Sequence, residues 1–455
     1  MPKRQICSDQ RQPHLQTGHR PGHAHAVSRP NPLQLFHRAN PSHLARRTNH
    51  IAATTNICGA SHKTCKYTIN ENHYHLYLAM EFLRFLVRPL VTTVFSFTVV
   101  VVHAQTTVTD LAGRQVRIPA RVERILLGES RLLPALAILE GDPSQRLVAM
   151  MGDMERVDPA SYAQWRTRFP GLDDIARIGR SDAKSFSDER ALALRPQVAI
   201  FTLGGGHTPG ERDRETLARL EAANIAVVFV DFRRDPLRNT PRSMELLGKV
   251  LGKNQRAADF NHYWKQQLDI VSKRLQKKQT TGPTVFLENR VGLATACCET
   301  MTGLLGKVLD AAGGQNMAKG LLPGEYGLIN PELLIARQPQ IYIGTGIGST
   351  QTLHSAPQRI ALGAGVTPEL ARKSLLHALR RPQLQSLQAV RHKRAYAIWH
   401  HFYNSPFNVV ALQVMAKWMH PDLFADIDPQ QTLREMYRRF QPLPLNGTYW
   451  IDAGH

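Results

Sequence analysis

From Thr107 onward the apolar residues fall into two alternating kinds of run. Short continuous runs read as buried strands, and longer runs with apolar spacings of three and four read as helices. VTDLAGRQVRIP (108–119) sets a Gly turn between two alternating segments and ends in Pro, which predicts a hairpin. RILLG (124–128) and RLVAMMG (146–152) are strands, with SRLLPALAILEG (130–141) a helix between them closed by Gly141. SDERALALRPQVAIFTLGGG (187–206) runs from a helix behind Ser187 through Pro196 into a strand and a glycine loop. ETLARLEAANIAVVFVD (215–231) repeats helix then strand. This alternation predicts a parallel sheet covered by helices.

The rhythm then breaks. RSMELLGKVLG (242–252) is helical, and residues 254–278 form a long amphipathic stretch with no internal Gly or Pro. At 1.5 Å per residue it spans roughly 35 Å, about the width of a domain. Past TGP (281–283) the alternation resumes. TVFLENR (284–290) is a strand, TGLLGKVLDAAGG (302–314) a helix with a Gly stop, and NPELLIARQPQIYIGTG (330–346) another helix-Pro-strand-Gly unit. RAYAIWHHF (394–402) is a strand entering a loop, and NVVALQVMAKWMH (408–420) a helix. The predicted fold class is α/β, with two Rossmann-like lobes of parallel sheet joined by one long connecting helix. A repeat is visible in the letters: ERALALRPQVAIF (189–201) parallels ELLIARQPQIYIG (332–344).

Charge and cysteine placement set the first hundred residues apart. The formal charge is +21, but residues 1–79 hold ten basic against two acidic residues, and ten of the twenty histidines. No apolar period persists there, so the segment lacks the surface to offset its ordering entropy. It reads as a disordered or spurious extension. Cys7, Cys58 and Cys65 lie in it without the C-x2-C or H-x3-5-H spacing of a zinc site. Residues 80–104 resemble an export signal: Met80, then Arg84 and Arg88, an apolar run from Leu90 to Val102, and small Ala104 at the cleavage position, although Val102 stands at −3. The run is shorter than the ~20 residues of a membrane span. The chain that follows keeps about +12, too diffuse to indicate a nucleic-acid partner. The expected divisions are a first lobe at 107–241, a connecting helical segment at 242–282, a second lobe at 283–440 and a tail at 441–455.

Three stretches carry a resemblance to a known family. TVTDLAGRQVRIPARVERIL, LDAAGGQNMA and FYNSPFNVVALQVMAKWMHPDLF resemble, in order and spacing, the periplasmic substrate-binding proteins for iron–siderophore, haem and vitamin B12 uptake. The likeness covers essentially all of 107–440. It implies the class III periplasmic-binding-protein fold, in which two lobes grip cargo at the carboxyl ends of their strands and then dock on a permease dimer driven by an ATPase. It implies a periplasmic monomer without a cofactor, carrying an iron chelate: a ferric siderophore first, then haem, then a cobalamin-type corrinoid. In the vitamin B12-binding member one surface glutamate on each lobe reaches permease arginines. The matching segments here place those residues at Glu189 and Glu332. Each would sit in the first turn of a helix, where an anion is favoured.

The loops after the strands supply the cargo candidates: Arg131, Gly205, His207, Arg290, Tyr326 and Tyr403. Arginines offer charge-assisted donors to anionic chelates. Tyrosines offer stacking and a hydroxyl, and glycine lets a ligand approach the backbone. His400-His401 and His207 beside Tyr403 raise a rival, ligation of haem iron or a bare metal. A bare-metal site wants three or four convergent ligands, which the sequence does not display. Cys297-Cys298 reads either as a vicinal disulfide or as two thiols packed as small apolar groups. The thiols are favoured, because the vicinal ring needs unusual backbone geometry.

The chain does not read as an enzyme. LLGKVLGKN (246–254) is one residue short of a P-loop, ends in Asn and lies within a helix. GTGIGS (344–349) and ALGAGV (361–366) lack dinucleotide-binding spacing, and no G-x-S-x-G elbow occurs. A siderophore-modifying enzyme using the cysteine pair is the alternative of a different class.

Overall fold

A computed structural model describes residues 106–278, 281–293 and 297–454. The expected extension (1–79) and export signal (80–104) lie outside the described residues. Among the described residues no helix is long and apolar enough to cross a membrane.

The chain enters through a hairpin, β1 (Thr106–Thr109) against β2 (Gln115–Ile118). Its turn is held by buried Asp110, whose Oδ1 accepts from the backbone of Ala112 (3.0 Å) and Arg114 (2.9 Å). Five parallel strands follow: β3 (Ile125–Leu127), β4 (Leu147–Met150), β5 (Ala176–Arg177), β6 (Val198–Thr202) and β7 (Ala226–Val230). Their order is β5-β4-β3-β6-β7. Both faces are covered, which is why β3 and β6 are apolar and buried at nearly every position. The winding reverses between β3 and β6, and a ligand crevice is expected at their carboxyl ends.

Two packed helices lead out. The first, Pro236–Leu251, starts six residues before the expected 242 and carries Pro241 inside it. Pro241 forgoes one backbone bond, and the buried face of Met244, Leu247, Val250 and Leu251 offsets that loss. The second is the expected connector, Asn254–Gln276, with Ala257, Phe260, Trp264 and Val271 buried along one stripe. It is tied at several levels. Arg256 donates to the carbonyls of Ile138 (2.8 Å) and Arg439 (2.7 Å), and Trp264 Nε1 donates to Asn408 Oδ1 (3.2 Å).

The second lobe is built on β8 (Thr284–Glu288), β9 (Glu299–Met301), β10 (Gln315–Asn316), β11 (Tyr326–Leu328), β12 (Ile341–Gly346), β14 (Ala395–Trp399) and β16 (Trp450–Asp452). β13 (Gly363–Ala364) and β15 (Gly447–Thr448) pair separately. The main order is β11-β9-β8-β12-β14-β16, with β10 also on β8. Here the expectation of a parallel sheet needs correcting. Only β10, β8, β12 and β14 pair in parallel, while β9, β11 and β16 join through antiparallel pairs. Residues 441–455 are also not simply a tail, because β15 and β16 lie within them and β16 closes one edge of the sheet. Their strands are two and three residues long, too short to show a period. One buried apolar cluster runs from Val108 to Tyr449 through both lobes and the connector, so the lobes share a core.

Candidate functional site

Three loops at the carboxyl ends of the first sheet converge on a buried ionic network. Glu129 follows β3 and is fully buried. Its Oε1 accepts from Thr202 Oγ1 (2.6 Å) and from Arg233, and its Oε2 from Arg131 (2.8 Å) and Asn404 Nδ2 (2.8 Å). Burial alone would raise its pKa. The guanidiniums of Arg233 and Arg131 outweigh that and hold it at about 2. Arg131 also donates to Asp153 Oδ2 (2.8 Å) and to the Tyr403 hydroxyl (2.6 Å). Two carboxylates and two guanidiniums thus balance in a dry setting, and Tyr403 and Asn404 carry the network into the second lobe.

The glycine loop follows β6. Gly204, Gly205 and Gly206 have φ of +79°, +61° and +103°, a backbone that side chains rarely adopt. A Cβ on Gly205 would stand 2.8 Å from the Thr208 carbonyl oxygen. The loop aims His207 inward, with Nδ1 at 2.5 Å from the Ser181 carbonyl oxygen. On the opposite side the short turn His400–Asn404 follows β14, with all five residues buried. His400 Nδ1 lies 3.2 Å from Thr345 Oγ1, and its ring is 4.8 Å from that of Tyr403. Burial pushes His400 well below the ordinary histidine value and lowers His207, with nearby cations adding to both. His401 stands 3.6 Å from Asp158, yet burial outweighs that carboxylate and lowers its pKa too. All three rings are therefore biased toward the neutral form.

Between the lobes lies a cavity of about 490 Å³. The first lobe contributes Gly204, Gly206, His207, Arg233 and Arg234; the second contributes Arg290, Tyr326, His400 and Tyr403. Arg290 binds Glu299 through two bonds (3.0 and 2.6 Å) and lies 5.9 Å from the centroid of the Tyr326 ring.

The sequence-derived candidates separate on this geometry. His207, Arg290, Tyr326 and Tyr403 come together at the cavity. Arg131 does not line it, since its guanidinium is spent on Glu129, Asp153 and Tyr403. Gly205 is turned under Thr208 and Gly210, and its neighbours Gly204 and Gly206 face the space instead. Sequence reasoning missed Arg233 and Arg234. The available signal was a charged doublet directly after a buried strand, at the carboxyl end of the sheet where ligand loops are expected. Glu189 and Glu332 are both exposed, each second in its helix, behind the caps Ser187 and Asn330. Cys297 and Cys298 are joined in a disulfide, against the expectation of packed thiols. With Glu288 they form the one group of three metal-capable side chains among the described residues. That group is closed to a metal, because both sulfurs are bonded to each other and Glu288 is engaged by Arg381 and Tyr342.

The family model described as periplasmic binding protein matches residues 136–399, more than half of the chain. No curated protein sequence matches. Among solved structures, the TroA-like periplasmic binding protein FepB of Veillonella parvula is 24% identical, with a TM-score of 0.69, over 76% of this chain and 99% of that one. The molybdate periplasmic binding protein MolA of Haemophilus influenzae, from an ABC transporter, is 16% identical, with a TM-score of 0.56, over 75% of this chain and 99% of that one. CeuE of Helicobacter pylori, in a complex with nickel and histidine, is 15% identical, with a TM-score of 0.54, over 75% of this chain and 96% of that one. These likenesses agree with the class III periplasmic-binding-protein fold that the sequence implied.

Proposed function

The chain belongs to the periplasmic binding protein family, and from that premise we propose that it captures an anionic iron complex, foremost a ferric siderophore, in the interlobe cavity and delivers it to the permease dimer of an ABC importer. One observation carries the choice of cargo. Arg233 and Arg290 reach the cavity from opposite lobes, and Arg290 lies beside the exposed Tyr326 ring. A cationic and aromatic wall suits a bulky chelate whose oxygens accept hydrogen bonds. The neutral histidines add polar contact without charge. Haem or a corrinoid is a second reading, supported by neutral His400: Thr345 holds its Nδ1, and its Nε2 has no partner among the described residues. The known contents of similar structures, molybdate and nickel with histidine, complete the panel to be tested.

The test is a fluorescence titration of the purified protein. Trp399 is a built-in reporter, with its ring 5.4 Å from that of His401. Micromolar quenching by a hydroxamate or catecholate ferric siderophore, and not by haemin, cobalamin, molybdate or nickel–histidine, is the expected outcome. Failure of every siderophore at that concentration would sink the reading. Glu189 and Glu332 are the proposed docking residues, one on each lobe for a two-fold partner. Replacing both with Ala should abolish uptake and leave cargo affinity intact. A fall in affinity would remove them from the docking role.

A further inference from the structure

Beside the cavity lies a side pocket of about 190 Å³, which shares His207, Arg290, His400 and Tyr403 with it. The two spaces differ in charge. The main cavity mixes arginines with Glu211, Asp213 and Glu325. The ionised lining of the side pocket is basic throughout: Arg131, Arg156, Arg290 and Arg359. Arg131 and Arg290 are engaged by carboxylates. Arg156 and Arg359 have no salt bridge and no side-chain hydrogen bond among the described residues. They come from opposite lobes, Arg156 from the Asp153–Val157 helix after β4 and Arg359 from the loop before Ile360.

Arg359 is the unusual member. Its Nε is shut off from solvent and has no acceptor among the described residues. Burial lowers its pKa, and no carboxylate opposes that. A sequestered donor without a partner is costly, and more so when the group is charged. A fold tolerates such a group most readily where an acceptor arrives from outside. His400 and His401, kept neutral by burial, together with Val291 and Ile347, give the pocket a floor without negative charge. The volume is well below that of the main cavity and suits a compact group with several oxygens.

We propose that this side pocket is an anion subsite, in which one carboxylate or tetrahedral oxyanion is held between Arg156 of the first lobe and Arg359 of the second. The anion is either a pendant arm of the cargo or a separate inorganic ion. In both cases it bridges the lobes and adds bidentate, charge-assisted contacts. The inference rests on the interlobe cavity being the cargo site. It adds a discrimination: a chelate with a free carboxylate is preferred over an uncharged one.

Calorimetric titration of the full protein and of its Arg156→Gln and Arg359→Gln variants tests this, with inorganic phosphate, ferric citrate and the uncharged chelate ferrichrome as probes. Each substitution should weaken phosphate and ferric citrate by roughly tenfold or more and leave ferrichrome within about twofold. Arg359→Lys should recover part of the loss, and an unchanged melting temperature shows that the variants are folded. If ferric citrate depends on the two arginines while phosphate does not bind, the anion is an arm of the cargo. If phosphate depends on them while no chelate binds, the subsite stands and the siderophore reading falls. If no anion binds, or anions bind equally well to all variants, the subsite is overturned, and chelate binding that persists in both variants leaves the proposed function in place.

Discussion

The two lobes are alike where their helices hand over to strands and unlike where they face the cavity. In each, a glutamate stands second in a short helix, Glu189 in Asp188–Ala193 and Glu332 in Pro331–Arg337. Six residues on, Arg195 and Gln338 adopt nearly the same left-handed backbone, with φ of +44° and +43°. A Pro-Gln pair follows. Gln197 Oε1 accepts from the backbone of Glu123 (2.6 Å) and Arg124 (3.1 Å), just ahead of β3. Gln340 Oε1 accepts from the Thr284 backbone (2.9 Å), at the start of β8. The same side chain thus clamps the entry to the central strand of each sheet. At the carboxyl ends the likeness stops. The first lobe buries Glu129, Arg131, Asp153 and Arg233 in one network. The second presents a part-exposed Arg290, paired with Glu299, and an exposed Tyr326, while its buried pair of Glu288 with Arg381 does not line the cavity. One lobe is a pre-set wall, and the other offers accessible groups to the ligand.

The sharpest way to break this contrast is to remove one carboxylate from each side. Glu129→Gln leaves two buried guanidiniums short of charge, and a loss of about 3–5 kcal/mol in denaturant unfolding is expected. Glu299→Gln removes a pair whose arginine is 39% exposed, and about 1 kcal/mol or less is expected. Equal losses would erase the distinction. The pH dependence carries the same signature. A carboxyl lowered from 4.5 to about 2 contributes stability that is complete above 4.5 and lost as the pH falls from there through 2. The wild type should show that acid slope, and Glu129→Gln should show a shallower one, because Asp426 is held at about 2 as well.

A smaller effect probes the likeness. Gln197→Ala and Gln340→Ala should each cost about 0.5–1.5 kcal/mol, with the first, which serves two backbone groups, at the upper end. A measurable loss in only one lobe would show that the shared motif does different work on the two sides. The smallest expected effect is none. Because burial lowers the pKa of both His207 and His400, cargo affinity should stay level as the pH falls from about 8 to 7. A step in affinity within that window would mean that one of these rings carries a proton when cargo binds.

Much of the frame was legible because it rests on local rules. β3, β6 and β12 announced themselves as apolar runs since both of their faces are covered. The connector showed through its unbroken amphipathic length, and Gly141 stopped its helix as expected. The site was legible only as a set of loops. Knowing that ligand loops follow strands placed His207, Arg290, Tyr326 and Tyr403 at the cavity, but the same rule also pointed to Arg131 and Gly205, which do not line it. The antiparallel strands of the second lobe escaped notice because β9, β11 and β16 are only three residues long.

What the chain determines by itself is the alternation, the two lobes, the connector between them and the repeated Glu-helix-Pro-Gln-strand unit. Each is set by backbone preference and by the burial period of neighbouring residues. Only the tertiary structure decided which arginines are free. Arg131 and Arg359 look alike as letters, yet among the described residues one meets two carboxylates and a phenol while the other meets none. A guanidinium is satisfied or left unpaired by groups many residues away in the chain, and that convergence depends on how loops from both lobes close over one another.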